Sequence, residues 1–414
     1  MTATLPAPAP TVPGTRLGWL DALRGYAALV VVLFHLSPIV IGAERHMAVF
    51  TIIDLGKYGV LLFFLVSGYV IPMSLERHGS LRRFWIGRLF RIYPAYLFAV
   101  LLLMAATATV PGVLRTETVS SVLAHATMLS DLVGLRGAVR PFWTLSYEMV
   151  FYLVVAGLFA WRLHRHSAWW AGGLALTALI FGPVLPDDLL SPDFGTRRIT
   201  AAVLLLLVAA AVAGFLTGRH RPAGLIGIGF VLLVAVNGHA TGDSTVASSR
   251  QGLLLLAVMF AGTVVHRAQH RQLDGRAAAA ALAAVTACVA VAGGLSTATV
   301  TAVVATFAAA FALRHRPVPR ILVGLGTISY SLYLLHVVVL MVAGRLVPGL
   351  AARPVEVRVL VGALILTVAL AVATLAHRFV ELPGQAFGRR VDTLLTTQRA
   401  APRTGRGEDG TRSV

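Results

Sequence analysis

Apolar runs long enough to cross a membrane recur about twelve times along this 414-residue chain, and no other feature constrains its fold as much. Inside hydrocarbon every backbone N–H and C=O must be satisfied within the protein, so a chain crosses as helices or as a closed barrel. Continuous apolar runs of this length fit helices. They lie near 17–41, 58–75, 91–110, 142–161, 168–185, 199–217, 222–237, 251–266, 278–293, 298–313, 321–343 and 357–380. Several are short and rich in glycine and alanine; if two merge or re-enter, ten or eleven spans remain. The expected fold is all-α, a polytopic transmembrane helical bundle of about 10–12 spans. Composition agrees: 13% of the residues are charged, about half the share in a soluble domain.

The basic residues set an expected orientation. The connections 76–88, 162–167, 218–222, 266–276 and 314–320 are strongly basic, and they alternate with acidic or mixed connections such as 186–193 and 237–244. Placing the basic set in the cytoplasm puts both termini inside. Arg115, Arg136, Arg140 and Arg345 fall on the outer side, against the trend. The net charge of +18 has this origin, and no basic, aromatic-interleaved soluble module points to nucleic acid. Residues 1–16 are rich in Pro and Ala and lack the basic and apolar regions of a cleaved signal peptide, so they read as a disordered tail. The transmembrane domain is expected over 17–384, followed by a disordered cytoplasmic tail over 385–414. The longest outer loop, 111–141, is placed to cover an outward-facing cavity. Cys288 is the single cysteine, which excludes an intramolecular disulfide framework and a cysteine-based metal site.

Ionisable side chains inside an apolar span are costly and mark function by default. The first span, LGWLDALRGYAALVVVLFHL, carries Asp21, Arg24 and His35. Arg24 and His35 are eleven residues apart, which at about 100° per residue returns to nearly one face, roughly 16 Å along the axis. Asp21 and Arg24 fit the water interface as well as a site. His35 lies too deep for that, and a neutral imidazole there suits a general base or a packing hydrogen bond to a neighbouring helix. Glu148, in PFWTLSYEMVFY (141–152), starts a span that enters from the outer side. It is therefore expected level with His35, as a carboxylate that orients the imidazole. Trp143 and Tyr147 flank it as site residues or interfacial anchors, and Ser146 is a polar contact or an ordinary helix hydroxyl.

Arg88 and Arg91, in RRFWIGRLFRIYPAY (82–96), share a helix face at the start of the third span. Paired guanidiniums clamp phosphates, and positive-inside anchoring accounts for them equally well. Ser329, Tyr333 and His336 form a polar stripe in ISYSLYLLH (328–336), lining a cavity or bonding another helix. Ser67 and Gly68 are small enough for close helix contact, and Glu381 ends the last span ahead of Pro383. The sequence holds no HExxH, CxxC pair, P-loop or GxSxG, so no metal is expected.

With these pieces in order, the chain resembles the acyltransferase type 3 family of integral membrane O-acyltransferases. The resemblance rests on LDALRGYAALVVVLFH, GVLLFFLVSGYVI, RLFRIYPAY, PFWTLSYE, SYSLYLLH, and Glu381 with Pro383. Between about 162 and 320 it is carried only by undistinguished apolar helices. It implies transfer of an acyl group, acetyl foremost, from acyl-CoA to a hydroxyl of a sugar, in a surface glycan or a glycosylated antibiotic of the macrolide type, at a bacterial cytoplasmic membrane. Carried over, His35 and Glu148 are catalytic and Arg24, Arg88 and Arg91 bind the donor. Asp21, Ser67, Trp143, Ser146, Tyr333, His336 and Glu381 line the site. The partners implied are acyl-CoA, a sugar-containing acceptor and membrane lipid. The competing reading is a proton-coupled transporter or exporter in which His35 and Glu148 relay protons. The absence of a visible internal repeat counts against it.

Overall fold

A computed structural model describes residues 17–108, 119–135, 140–238, 246 and 248–400. The expected N-terminal tail (1–16) and the end of the C-terminal one (401–414) lie outside the described residues. Fifteen α-helices run in chain order: α1 (Gly18–Val40), α2 (Ala43–Ile52), α3 (Leu55–His78), α4 (Leu81–Ala108), α5 (Val119–Thr127), α6 (Trp143–Ala160), α7 (Ser167–Ile180), α8 (Phe194–Thr217), α9 (His220–Val236), α10 (Ser249–Gln269), α11 (Gly275–Ala292), α12 (Thr297–Ala312), α13 (Arg320–Leu346), α14 (Val355–Ala376) and α15 (Leu382–Ala400). There are no strands among the described residues.

Each of the twelve expected runs coincides with a helix. Among the described residues nine helices are long and apolar enough to cross a membrane, and α9 and α12 are shorter apolar helices. The runs at 168–185, 222–237 and 298–313 form helices of 14, 17 and 16 residues, short of the roughly 20 that a full crossing needs. The outer loop is partly folded: α5 packs against α8, and Leu129, Leu132 and Val133 are fully buried. Beyond Glu381 the chain continues as α15, which lies along α4 and takes in residues 385–400 of the expected tail. Pro383 explains the joint before it. It has no N–H for the carbonyl four residues back, and the helix widens into a π turn over His377–Glu381. Arg82 and Arg83 then hold α15 through Asp392, and Arg82 also donates to Thr396.

The centre of the bundle is α1, enclosed by α3 and α13, with α4 and α6 completing the ring around the site. α1 and α13 approach through glycine. A Cβ on Gly326 would strike the carbonyl of Asp21, and one on Gly25 would strike Gly326 and Leu322. The expected contact at Gly68 occurs in the same way, against the backbone of Met259 in α10. Outside the membrane-spanning segments, Asp193 caps α8 by accepting from the N–H groups of Thr196 and Gly195. Those bonds hold its carboxyl below the usual range.

Candidate active site

Two cavities meet inside the ring, one toward each end of α1. The first holds about 760 Å³ of empty space and is lined by Arg24 from α1, Ser67 from α3, Arg88 and Arg91 from α4, and Glu148 from α6. Thr144, Glu148 and Tyr152 all face it, because residues four apart recur on one side of a helix. Glu148 is fixed by two hydroxyls: Tyr152 donates at 2.5 Å and Ser67 at 3.3 Å. The Arg88 guanidinium lies over the rings of Tyr152 and Phe84 at 5.3 and 5.4 Å. That geometry holds it without tying it up in an ion pair. Three guanidiniums facing one carboxylate leave a cationic cavity suited to anionic oxygens.

The second cavity is a vestibule of about 1270 Å³, lined by His35, His46, Asp54, Lys57, Arg140 and Trp143 among others. His35 is not isolated there. His336 donates through Nδ1 to the Leu332 carbonyl at 3.1 Å, so its Nε2 carries a lone pair. That lone pair faces Nδ1 of His35 at 3.3 Å, and the same Nδ1 donates to the Val31 carbonyl at 2.9 Å. The bonds assign the proton of both rings to Nδ1 and leave Nε2 of His35 as the proton acceptor. Val60 and Tyr333 line both cavities and form the wall between them. The Tyr333 hydroxyl is pinned, accepting from Thr144 at 3.1 Å and donating to the Pro141 carbonyl at 3.2 Å.

Several expected residues fall elsewhere. Glu148 does not reach His35: the carboxylate bonds Ser67 and Tyr152 in the arginine cavity, whereas His35 bonds His336 and Val31. Trp143 stands at vestibule level, and Glu148 is five residues further along α6, about 7.5 Å deeper and turned by roughly 140°. Ser146 lines neither cavity; it donates to the Met128 carbonyl at 2.7 Å and pins the folded part of the outer loop. Glu381 is buried in the π turn, where it accepts from Ser331 and Gln385 and pairs with His377. It joins α13, α14 and α15 rather than facing a substrate. Asp21 also lies outside both linings, at the glycine contact of α1 with α13. Ser329 donates to its own helix at Gly326, so the working face of α13 is Tyr330, Tyr333 and His336. Tyr147 is fully buried, not an interfacial anchor.

The sequence reading missed Tyr152, Tyr330, Thr144, His46 and Arg140. Thr144 and Tyr152 had a usable signal, four residues before and after Glu148 on the same helix face. No group of three or more His, Cys, Asp or Glu suited to a metal occurs among the described residues.

Comparison with known proteins bears on this arrangement. The profile of the type 3 acyltransferase domain matches residues 17–378. Acyltransferase MdmB of Streptomyces mycarofaciens is 30% identical over 185 residues, 42% of this chain and 47% of that protein. Peptidoglycan O-acetyltransferase OatA of Listeria monocytogenes is 29% identical over 153 residues, 33% of this chain and 23% of that protein. The exopolysaccharide production protein ExoZ of Rhizobium meliloti is 33% identical over 193 residues, 44% of this chain and 56% of that protein. The chain thus spans less than two thirds of each relative's length. No solved structure matches it significantly. The match over residues 17–378 makes this chain, whose described residues include nine helices long and apolar enough to cross a membrane, a member of the type 3 acyltransferase family.

Proposed function

We propose that the protein moves an acyl group, acetyl foremost, from acyl-CoA to a sugar hydroxyl of a surface glycan or glycosylated natural product at a bacterial cytoplasmic membrane. The observation that carries this reading is the pair of cavities sharing a wall at Val60 and Tyr333. Arg24, Arg88 and Arg91 receive the coenzyme A phosphates from the cytoplasmic side, with Glu148 balancing their charge. The pantetheine arm reaches along the roughly 16 Å between Arg24 and His35. The acceptor occupies the vestibule, where Nε2 of His35 takes its hydroxyl proton. The oxygen attacks the thioester carbonyl, the C–O bond forms, the C–S bond breaks, and the proton returns from His35 to the departing thiolate. His336 acts through His35, sharing its Nδ1–H with the Val31 carbonyl and keeping Nε2 aimed at the acceptor. The names of the relatives, which include a peptidoglycan O-acetyltransferase and an exopolysaccharide production protein, support a glycan acceptor.

The deciding assay follows acyl-CoA consumption by membranes carrying wild-type protein or His35→Ala across a panel of sugar acceptors. Thiol release should appear with wild type and fall by about 10²–10⁴-fold in the variant at equal expression, the usual worth of a general base. Acylated His35, trapped before any acceptor is added, would replace direct transfer by a covalent route. Wild-type protein that binds no acyl-CoA and releases no thiol, while moving solute with protons, would establish the transporter reading instead.

A further inference from the structure

A third cavity lies away from both site cavities, between α3, α10, α11 and α12, and holds about 1410 Å³ of empty space. Its origin is in the sequence. α11 (GRAAAAALAAVTACVAVA) and α12 (TATVTAVVATFAAAFA) carry mostly small side chains, which cannot fill the distance back to α3 and α10. The cavity is not sealed: Val304 on its wall is 45% exposed, so its apolar walls are open to a ligand from outside the bundle. Its polar liners are Gln269, Thr286 and Arg314.

Arg314 supplies the second observation. Its guanidinium stacks on the Phe311 ring at 4.2 Å and donates to the Phe311 carbonyl, while Nε is buried without a hydrogen-bond partner among the described residues. It also lacks a carboxylate partner among the described residues. A partly buried, uncompensated cation at one end of an apolar cavity complements a molecule with a long apolar body and an anionic head. Dimensions agree. The lining follows one face of α12 from Val300 to beyond Phe311, and Val300 to Arg314 spans about 21 Å. One leaflet's hydrocarbon is about 15 Å thick. The arginine end is the end where α1 begins, since Phe311 packs against Trp19.

We infer that this cavity is a binding site for an anionic membrane phospholipid, its acyl chain between α11, α12 and α3 and its phosphate on Arg314. The site is independent of acyl transfer and is tested without it. The full-length protein is exchanged into equal amounts of phosphatidylglycerol and phosphatidylcholine with matched chains. Retained lipid is then weighed by native mass spectrometry, and melting is followed with each lipid and with glycerol phosphate alone. Wild type should retain phosphatidylglycerol at least roughly fivefold over phosphatidylcholine, the ratio equivalent to about 1 kcal/mol for one arginine near an anionic head. It should melt higher with phosphatidylglycerol and show no shift with glycerol phosphate. Arg314→Gln should lose the preference while still binding chains. Ala308→Phe, which fills the lining from α12, should lose both lipids. If Arg314→Gln does not fold, the wild-type preference and Ala308→Phe decide. Equal retention of the two lipids by wild type, a melting shift with glycerol phosphate alone, unchanged retention in Ala308→Phe, or a retained mass of an acyl-CoA or polyprenyl phosphate would each overturn the assignment.

Discussion

At the scale of single residues, the unexpected feature is that Nδ1 of the base candidate meets the Val31 carbonyl and a second histidine, and not a carboxylate. A carboxylate fixed against Nδ1 in this apolar span would itself need partners. His336 needs none beyond the Leu332 carbonyl four residues back. The consequence is testable in the split between kinetic constants. His336→Ala should lower kcat by about 10–100-fold, the range for groups that orient a functional histidine, with KM for acyl-CoA unchanged. His336→Gln, which can still place an amide oxygen near Nδ1 of His35, should recover part of the loss. A change in donor KM with kcat intact would assign His336 to donor binding instead. Sequence reasoning singled out His35 because an imidazole deep in an apolar helix has no interfacial explanation. It mispaired Glu148 because depth along a helix was judged without azimuth, and five residues change both.

At the scale of elements, α1 and α13 act as one unit. The backbone contact at Gly25 and Gly326 brings the helices close enough for His35 to meet His336 two to three turns further along. In membranes small residues earn such contacts, since apolar burial alone does not favour helix over lipid. Gly326→Ala must push its new methyl against the Asp21 carbonyl. Overpacking of this kind costs about 1–3 kcal/mol. The variant should melt lower in detergent and also lose activity, because separating the helices at this contact separates the two imidazoles. Gly344→Ala on the same helix, where an added Cβ meets nothing within 4 Å, should change neither. The spans themselves were legible from apolar length. The π turn, α15 and the folded part of the 111–141 loop were not, since they depend on tertiary partners: Asp392 with Arg82 and Arg83, and Ser146 with Met128.

At the scale of the whole molecule, the bundle holds two cavities, one beside Arg24 and one beside His35 of α1, that share only Val60 and Tyr333. Such a layout lets a cytoplasmic donor serve an acceptor approaching from the other side with no solute crossing. Val60 is the place to separate transfer from transport. It is 4% exposed, and a larger side chain there has cavity on both sides to enter. Val60→Phe should leave acyl-CoA binding to the arginine cavity within about fivefold of wild type, a shift of no more than about 1 kcal/mol, since Val60 is an apolar liner and carries none of the cavity's charge. Turnover should fall by 10-fold or more, the order expected when the reacting atoms are held about 1 Å apart from their productive positions. Isothermal titration of purified protein with acyl-CoA, beside thiol release with a productive acceptor, measures the two separately. Loss of binding together with turnover would place the donor across the wall already in the ground state. Unchanged turnover would mean that the acyl group does not pass between Val60 and Tyr333, and the two cavities would then serve different molecules.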